Sequence, residues 1–305
     1  MRGISVPHCF FKPLLNVWYN YHCHSNFCDG LEPLESYVLT AIEKQFKAIG
    51  FSSHAPLWFE NSWNMPSEKL TDYFAELIAL KKKYASQIEI YTSLEMDYLE
   101  GDEAWVQSFP AEELDYTILS VHFLRAKSGE LIEVDGSTET FIKQLATYWN
   151  NDQEQFVVDY FRAFETMVAQ TTPTIIGHFD KIKMHLNADG TQVIDTDSVV
   201  YKEASEAALK AIARSGAFLE INTRGMYKKQ LEHPYPSPDL LKRAFELNIP
   251  LVLNSDAHHP EELDACFKST AESLIGMDID RLKVLTSNHW TDAQVTINGL
   301  KTIHE

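Results

Sequence analysis

The chain is poor in cysteine, poor in cations relative to anions, and has no long apolar run. Each shortage closes off a class of function. Its four cysteines are Cys9, Cys23, Cys28 and Cys266, and no two stand in C-x-x-C spacing within the 305 residues. A domain of this size buries enough surface without covalent staples, so they read as reduced thiols. No stretch reaches the eighteen or so apolar residues of a membrane-spanning helix. Residues 1–16 include Phe10, Phe11, Leu14 and Leu15, but Pro7 and Pro13 interrupt them. They lack the apolar centre and small-residue cleavage site of a secretory signal. They read as an extension of unknown role, and the cytoplasm is the expected location, with no membrane partner.

Lysine and arginine total 26 against 44 aspartates and glutamates, a formal net charge of −18. Nucleic acid calls for a basic surface, so it is not an expected partner. If some carboxylates are metal ligands, the loaded protein is less negative than this count. Oligomeric state leaves no mark in the sequence.

No repeat or low-complexity linker divides the chain, and a 45% hydrophobic content supports a large core. Short apolar segments alternate with amphipathic ones. Strands are expected over 17–22, 51–54, 88–95, 116–122, 174–178, 217–222 and 250–254. Helices are expected over 32–49, 67–84, within 138–169, and over 198–214, 238–247 and 261–273. Residues 281–287 and 294–297 fit short strands or turns. Strand–helix alternation predicts a parallel sheet covered by helices. Seven such units match the size of one TIM-like α/β barrel over 17–305.

The histidines are placed alike. His22 and His24, His54, His122, His178 and His258 each fall at or just after the end of a strand. Glu95 and Asp256 share that placement. In a barrel of parallel strands these ends meet at one face. Six imidazoles there would repel one another if charged and waste buried polar groups if neutral. A metal cluster removes both costs, since neutral imidazole and carboxylate are ligands for zinc, iron and manganese. His22-Cys23-His24 has the i, i+2 spacing that puts both rings on one strand face and turns Cys23 away. Asp256-Ala257-His258 repeats that spacing. His259 is expected to point elsewhere. His8, His185, His233, His289 and His304 have no comparable placement.

The stretches YHCHSNFCDG, GFSSHAPL, SLEMDYLEG, LDYTILSVHFL, IIGHFDKIK, FLEINTRG, PYPSPDLLKRA and LVLNSDAHHPEEL follow one another along most of the chain. Together they resemble the polymerase-and-histidinol-phosphatase (PHP) superfamily, in its histidinol-phosphatase branch. The resemblance implies a distorted seven-stranded barrel and a trinuclear metal centre. Its ligands would fall on His22, His24, Asp29, His54, Glu95, His122, His178, Asp256 and His258. The activity implied is hydrolysis of the small ester L-histidinol phosphate to L-histidinol and phosphate, in histidine biosynthesis.

A phosphate monoester dianion repels hydroxide, and divalent metals answer this by acidifying a shared water and offsetting the phosphoryl charge. Glu95 and Asp29 suit bridging positions, because a carboxylate has two oxygens. Asp256 or a metal-bound water would protonate the leaving alkoxide. Asp256, His258 and Arg224 form the expected catalytic set. Arg224, just past the sixth strand, can hold phosphate in a bidentate fork. The family often has a small residue there and an arginine nearer Lys228, so Lys228 or Lys229 could supply the cation instead. Glu220 and Asn222 could orient ligands or meet the substrate's ammonium. Asp180 and Lys183 are candidate partners for His178. Rival readings are a PHP phosphoesterase for another small ester, a metal-dependent amidohydrolase, and a metal-binding module without activity.

Overall fold

Short strands dominate the centre of the molecule because the chain turns as soon as each strand has delivered its side chains. The computed structural model describes residues 17–303. Residues 1–16, read above as an extension, and residues 304–305, including His304, lie outside the described residues.

The strands are β1 (Tyr19–Asn20), β2 (Ala48–Phe51), β3 (Glu89–Thr92), β4 (Glu95–Asp97), β5 (Ile118–Ser120), β6 (Phe123–Arg125), β7 (Leu131–Glu133), β8 (Ile175–Ile176), β9 (Phe218–Asn222), β10 (Leu251–Asn254), β11 (Arg281–Thr286), β12 (His289–Thr296) and β13 (Gly299–Thr302). The helices are α1 (Leu34–Glu43), α2 (Leu70–Tyr84), α3 (Thr138–Trp149), α4 (Gln153–Gln170), α5 (Val199–Ser215), α6 (Arg224–Lys229), α7 (Pro238–Glu246) and α8 (Phe267–Gly276).

This is a mixed α/β fold with parallel sheets. One sheet has the order β1-β2-β3 and the other β10-β9-β8-β5-β4, with parallel pairing throughout both. Isolated parallel bridges join Cys23, beyond β1, to Ala257, beyond β10, and His54, beyond β2, to Glu95 of β4. The parallel strands are fully or nearly fully buried, as strands covered on both faces must be. β11, β12 and β13 form an antiparallel sheet packed against the strand beginnings. Tyr21 accepts from Leu285 N and donates to Leu285 O, and Val17 pairs with Leu300. Trp290 meets the rings of Tyr21, Tyr116 and Phe218 at 5.0–6.0 Å.

Several boundaries differ from the sequence expectation. The first helix ends at Glu43 rather than running to 49, because Gln45 adopts φ 60 and the apolar residues from Ala48 belong to β2. The strand expected over 88–95 breaks at Ser93–Leu94, so Glu95 begins β4 instead of ending β3. The helical stretch within 138–169 is two helices, since Asn150 and Asn151 both have positive φ. Asp152 then caps α4 by accepting from Gln155 N. The gap after His122 holds the β6–β7 hairpin, and Arg224, just past β9, opens α6.

Candidate metal centre

The ends of the parallel strands bring His22, His24, His54, His122, His178 and His258 together, all buried, with Glu95 and Asp256 between them. Glu95 divides the cluster. Its Oε2 lies 3.1 Å from His22 Nε2, 3.4 Å from His24 Nε2 and 3.2 Å from His54 Nδ1. Its Oε1 lies 3.0 Å from His178 Nε2 and 3.6 Å from His122 Nε2. One carboxylate thus faces two sets of imidazoles with different oxygens. Ser120 Oγ donates to Oε1 at 2.6 Å. Gly177 leaves room for that serine, because a Cβ there would strike Ser120 Oγ.

Asp256 Oδ1 lies 3.2 Å from His24 Nε2, 3.7 Å from His22 Nε2 and 3.4 Å from His258 Nδ1. Asp29, half-buried on the loop after His24, sets Oδ2 3.2 Å from His258 Nε2 and Oδ1 3.8 Å from His54 Nε2. All nine residues expected at the site therefore meet there. Candidate ligand atoms fall within 4.8 Å of one another in the groups His24/Asp29/His54/His258, His22/His24/Asp256, His54/Asp97/His122 and Glu95/His122/His178.

These residues fit divalent cations by their unmet needs. His22 Nε2, His24 Nε2, His54 Nδ1 and Asp29 Oδ1 are buried with no hydrogen-bond partner among the described residues. Such atoms are costly unless something occupies the space they face. His122 Nε2 and His178 Nε2 face each other at 3.1 Å, an arrangement that a shared cation or proton relieves.

The electrostatics prepare ligand forms at Glu95, Asp256, His24 and His54. Burial opposes ionisation of Glu95, but the charges of His22, His54 and His122 overcome it and hold the carboxyl well below the usual range. Asp256 is lowered in the same way, against burial, by His22 and Arg224. Burial, with the charge of His258, lowers His24 to about 4. Burial also lowers His54 to about 4, although Glu95 opposes the shift. Carboxylates ionised and imidazoles neutral are the states that bind metal. Against burial, however, the charges of Glu220 and Glu95 hold His22 well above the ordinary range, and those of Asp135 and Glu95 hold His122 up at about 9, so a cation there must displace a proton.

The residues behind the histidines set their tautomers. His22 Nδ1 pairs with Glu220 Oε1 at 2.6 Å, and His122 Nδ1 with Asp97 Oδ1 at 2.7 Å. Glu220 also accepts from His178 N, Asn222 Nδ2 and Asn254 Nδ2, and it is fully buried. Asn222, equally buried, reaches Asp256 Oδ2 at 3.2 Å. Asp180 and Lys183 turn away from His178. Asp180 accepts from Ser237, and Lys183 from the same turn donates to Pro234 O. Asp180 carries out a structural task because the short turn after His178 directs it toward Ser237, just before α7. Cys23 packs into the apolar core, away from the rings beside it. His259 caps the following turn by accepting from Glu261 N.

Above the histidines lies a cavity of about 390 Å³, lined in part by Arg224, Lys228, Lys229, Lys181, Asp135 and Trp63. Arg224 Nη1 donates to Asp256 O at 2.8 Å, and Lys228 pairs with Glu262. Asp135 and Lys181 form an ion pair at 2.7 Å, with Asp135 3.8 Å from His122. Sequence reasoning passed over Asp97, Asp135 and Lys181. Glu95-Met96-Asp97 carries the same i, i+2 spacing as the histidine pair and could have disclosed Asp97. Nothing local marks Lys181.

The PHP domain family model matches residues 20–224. A histidinol-phosphatase of Bacillus subtilis is 29% identical over 268 residues, spanning 82% of this chain and 97% of its own. The HisK protein of Listeria monocytogenes has a TM-score of 0.74 at 26% identity, over 82% of this chain and 99% of that one. The histidinol phosphate phosphatase of Lactococcus lactis, solved with zinc, L-histidinol and phosphate, shares the fold. Its TM-score is 0.67 at 21% identity, over 93% of this chain and 98% of that one.

Proposed function

This chain belongs to the PHP domain family, and from that premise we propose that it is a metal-dependent phosphomonoesterase, a histidinol-phosphatase that converts L-histidinol phosphate to L-histidinol and phosphate. The name of the Bacillus subtilis relative, matched over nearly its whole length, supports the substrate. The observation that carries the chemistry is the convergence of five buried histidines, His22, His24, His54, His122 and His178, on the two oxygens of Glu95. We assign His22, His24, Asp29, His54, Glu95, His122, His178, Asp256 and His258 as ligands of a trinuclear cluster of zinc, iron or manganese. We also propose that the two parallel sheets make one distorted seven-stranded barrel, in which β3 and β4 are the two halves of one broken strand. The bridges Cys23–Ala257 and His54–Glu95 support closure at both seams.

Bound divalent cations would neutralise phosphoryl charge and acidify the attacking water. The chain's own residues do the rest. Glu220 and Asp97 accept hydrogen bonds from Nδ1–H of His22 and His122 and so leave their Nε2 atoms free to ligate. Buried as they are, Glu220 and Asn222 orient ligands rather than touch substrate. Arg224 and Lys228, on the cavity wall, hold the phosphate by charge-assisted contacts. His258 and Asp256 close the cluster on the cavity side.

Phosphate release from L-histidinol phosphate, against a panel of sugar phosphates and nucleoside monophosphates, tests the reading. We expect kcat/KM for histidinol phosphate to exceed the others by roughly a hundredfold or more, the scale that buried polar recognition supplies. Equal turnover of the panel would remove the histidinol assignment and leave a general phosphoesterase. No release from any ester by the metal-loaded protein would remove the enzyme.

A further inference from the structure

The cavity over the metal centre has walls of opposite sign. From α6 come Arg224, Lys228 and Lys229, and from the end of β7 and the turn after it come Glu133 and Asp135. Lys181 already matches Asp135 at 2.7 Å. Glu133 makes no ion pair among the described residues, and burial together with the charge of Asp135 holds its carboxyl above the usual range. A half-buried carboxylate without a cation lacks a partner that a ligand can bring.

Trp63 stands beside it. Phe123 and Glu133 are directly opposite in the antiparallel β6–β7 ladder, so their side chains share a face. Trp63 stacks on Phe123 with ring centroids 5.5 Å apart and planes 19° apart, and it lines the same cavity. Its loop is pinned by Asn61 Oδ1, which accepts from Trp63 N at 3.0 Å and Asn64 N at 2.8 Å. The indole is thus fixed in place before any ligand arrives.

L-Histidinol phosphate carries a dianion at one end and an ammonium and an imidazole at the other. With its phosphate on the cluster and Arg224, its cationic end must lie across the cavity. We propose that Glu133 and Trp63 form the leaving-group subsite, with Glu133 receiving the ammonium and Trp63 packing along the imidazole. This rests on the phosphatase reading above and adds the residues that select an amino-alcohol ester.

The test compares two substrates on the metal-loaded enzyme: L-histidinol phosphate and the phosphate of 3-(imidazol-4-yl)propanol, which lacks only the amine. Glu133→Gln keeps the shape and removes the charge. The wild-type preference for the amine-bearing ester should shrink about tenfold to a hundredfold, the scale of one charged hydrogen bond. The inhibition constant of L-histidinol should rise by a similar factor. Trp63→Ala should raise KM for both imidazole esters, with partial recovery in Trp63→Phe. A preference ratio within about twofold of wild type in Glu133→Gln would overturn the proposal, whatever the absolute rates. Wild-type enzyme that releases no phosphate from L-histidinol phosphate would instead remove the parent reading, so the two failures are distinct.

Discussion

Asp256 is the residue on which several parts of the site depend. It is not a glycine, yet it adopts φ 56, a conformation that costs about 1 kcal/mol or more unless its surroundings enforce it. Here the enforcement is visible. Arg224 Nη1 donates to its carbonyl, and the Tyr227 hydroxyl lies 2.8 Å from Ser255 O and 3.1 Å from Asp256 O. Arg224 therefore faces the cavity and steadies a candidate ligand at once. Arg224→Ala should lower kcat/KM by about tenfold to a thousandfold, or roughly 1.4–4 kcal/mol. Metal content should persist, because Tyr227 still holds the turn. Arg224→Lys should recover part of the loss, since a point charge cannot reproduce the fork. If elemental analysis instead shows metal leaving with the activity, Arg224 serves the turn and not the phosphate. The adjacent histidines make a sharper pair. His258 faces Asp29 and Asp256, whereas His259 caps a turn. His258→Ala should abolish turnover and His259→Ala should keep most of it. Equal losses in a phosphate-release assay would reject the division between them. These positions were legible in the sequence because i, i+2 spacing fixes which side chains share a face. Glu95-x-Asp97 and Glu133-x-Asp135 carry the same spacing without a histidine to draw notice.

At the scale of elements, the strands were legible and the connections were not. Apolar strand cores show in sequence, but the helix expected through 49 overran β2, because Phe46, Ala48 and Ile49 fit either period. The β6–β7 hairpin, at three residues a strand, is too short for periodicity to register, although it carries Glu133 into the cavity. The loop before α2 gives a clear mechanical case. Asn64 Nδ2 donates to Ala55 O at 2.6 Å and lies 3.1 Å from Asp97 Oδ2, and Asp97 in turn orients His122. One amide thereby ties the Trp63 loop to the metal centre. Asn64→Ala should cost about 1–3 kcal/mol of stability through the two lost hydrogen bonds. It should also lower kcat several-fold, because His122 loses part of its orientation. Chemical denaturation and steady-state kinetics on the same preparation would check both. Unchanged kcat would show that Asp97 holds His122 without help from the loop.

At the scale of the whole molecule, a chain of net charge −18 gathers six of its twelve histidines at one place and points carboxylates at them. Its described residues contain no helix long and apolar enough to cross a membrane. The parallel strands of both sheets end at the cluster, so the fold's stability and the occupancy of the site are coupled. Ligand-ready groups left without cations are buried and unpartnered, and their mutual repulsion weakens the folded state. A bound ion stabilises the folded form by mass action, about 2.7 kcal/mol for one site at a hundredfold excess over its Kd. At roughly 2–4 °C per kcal/mol for a large domain, one such site corresponds to about 5–10 °C in Tm. Gently purified protein should therefore melt at least that much higher than protein stripped by a chelator. Adding zinc or manganese should restore both Tm and phosphate release, and loss of all bound ions should lower Tm further than loss of one. Glu95→Gln gives the decisive comparison, since it keeps the shape of the residue that meets both sets of histidines while removing its charge. Its metal content should fall and its Tm should respond little to chelation. Full metal content in that variant would mean that Glu95 is not the bridge its two oxygens suggest. Less than about one ion per chain in the parent protein, with no gain of activity on adding metal, would reject the metal cluster itself.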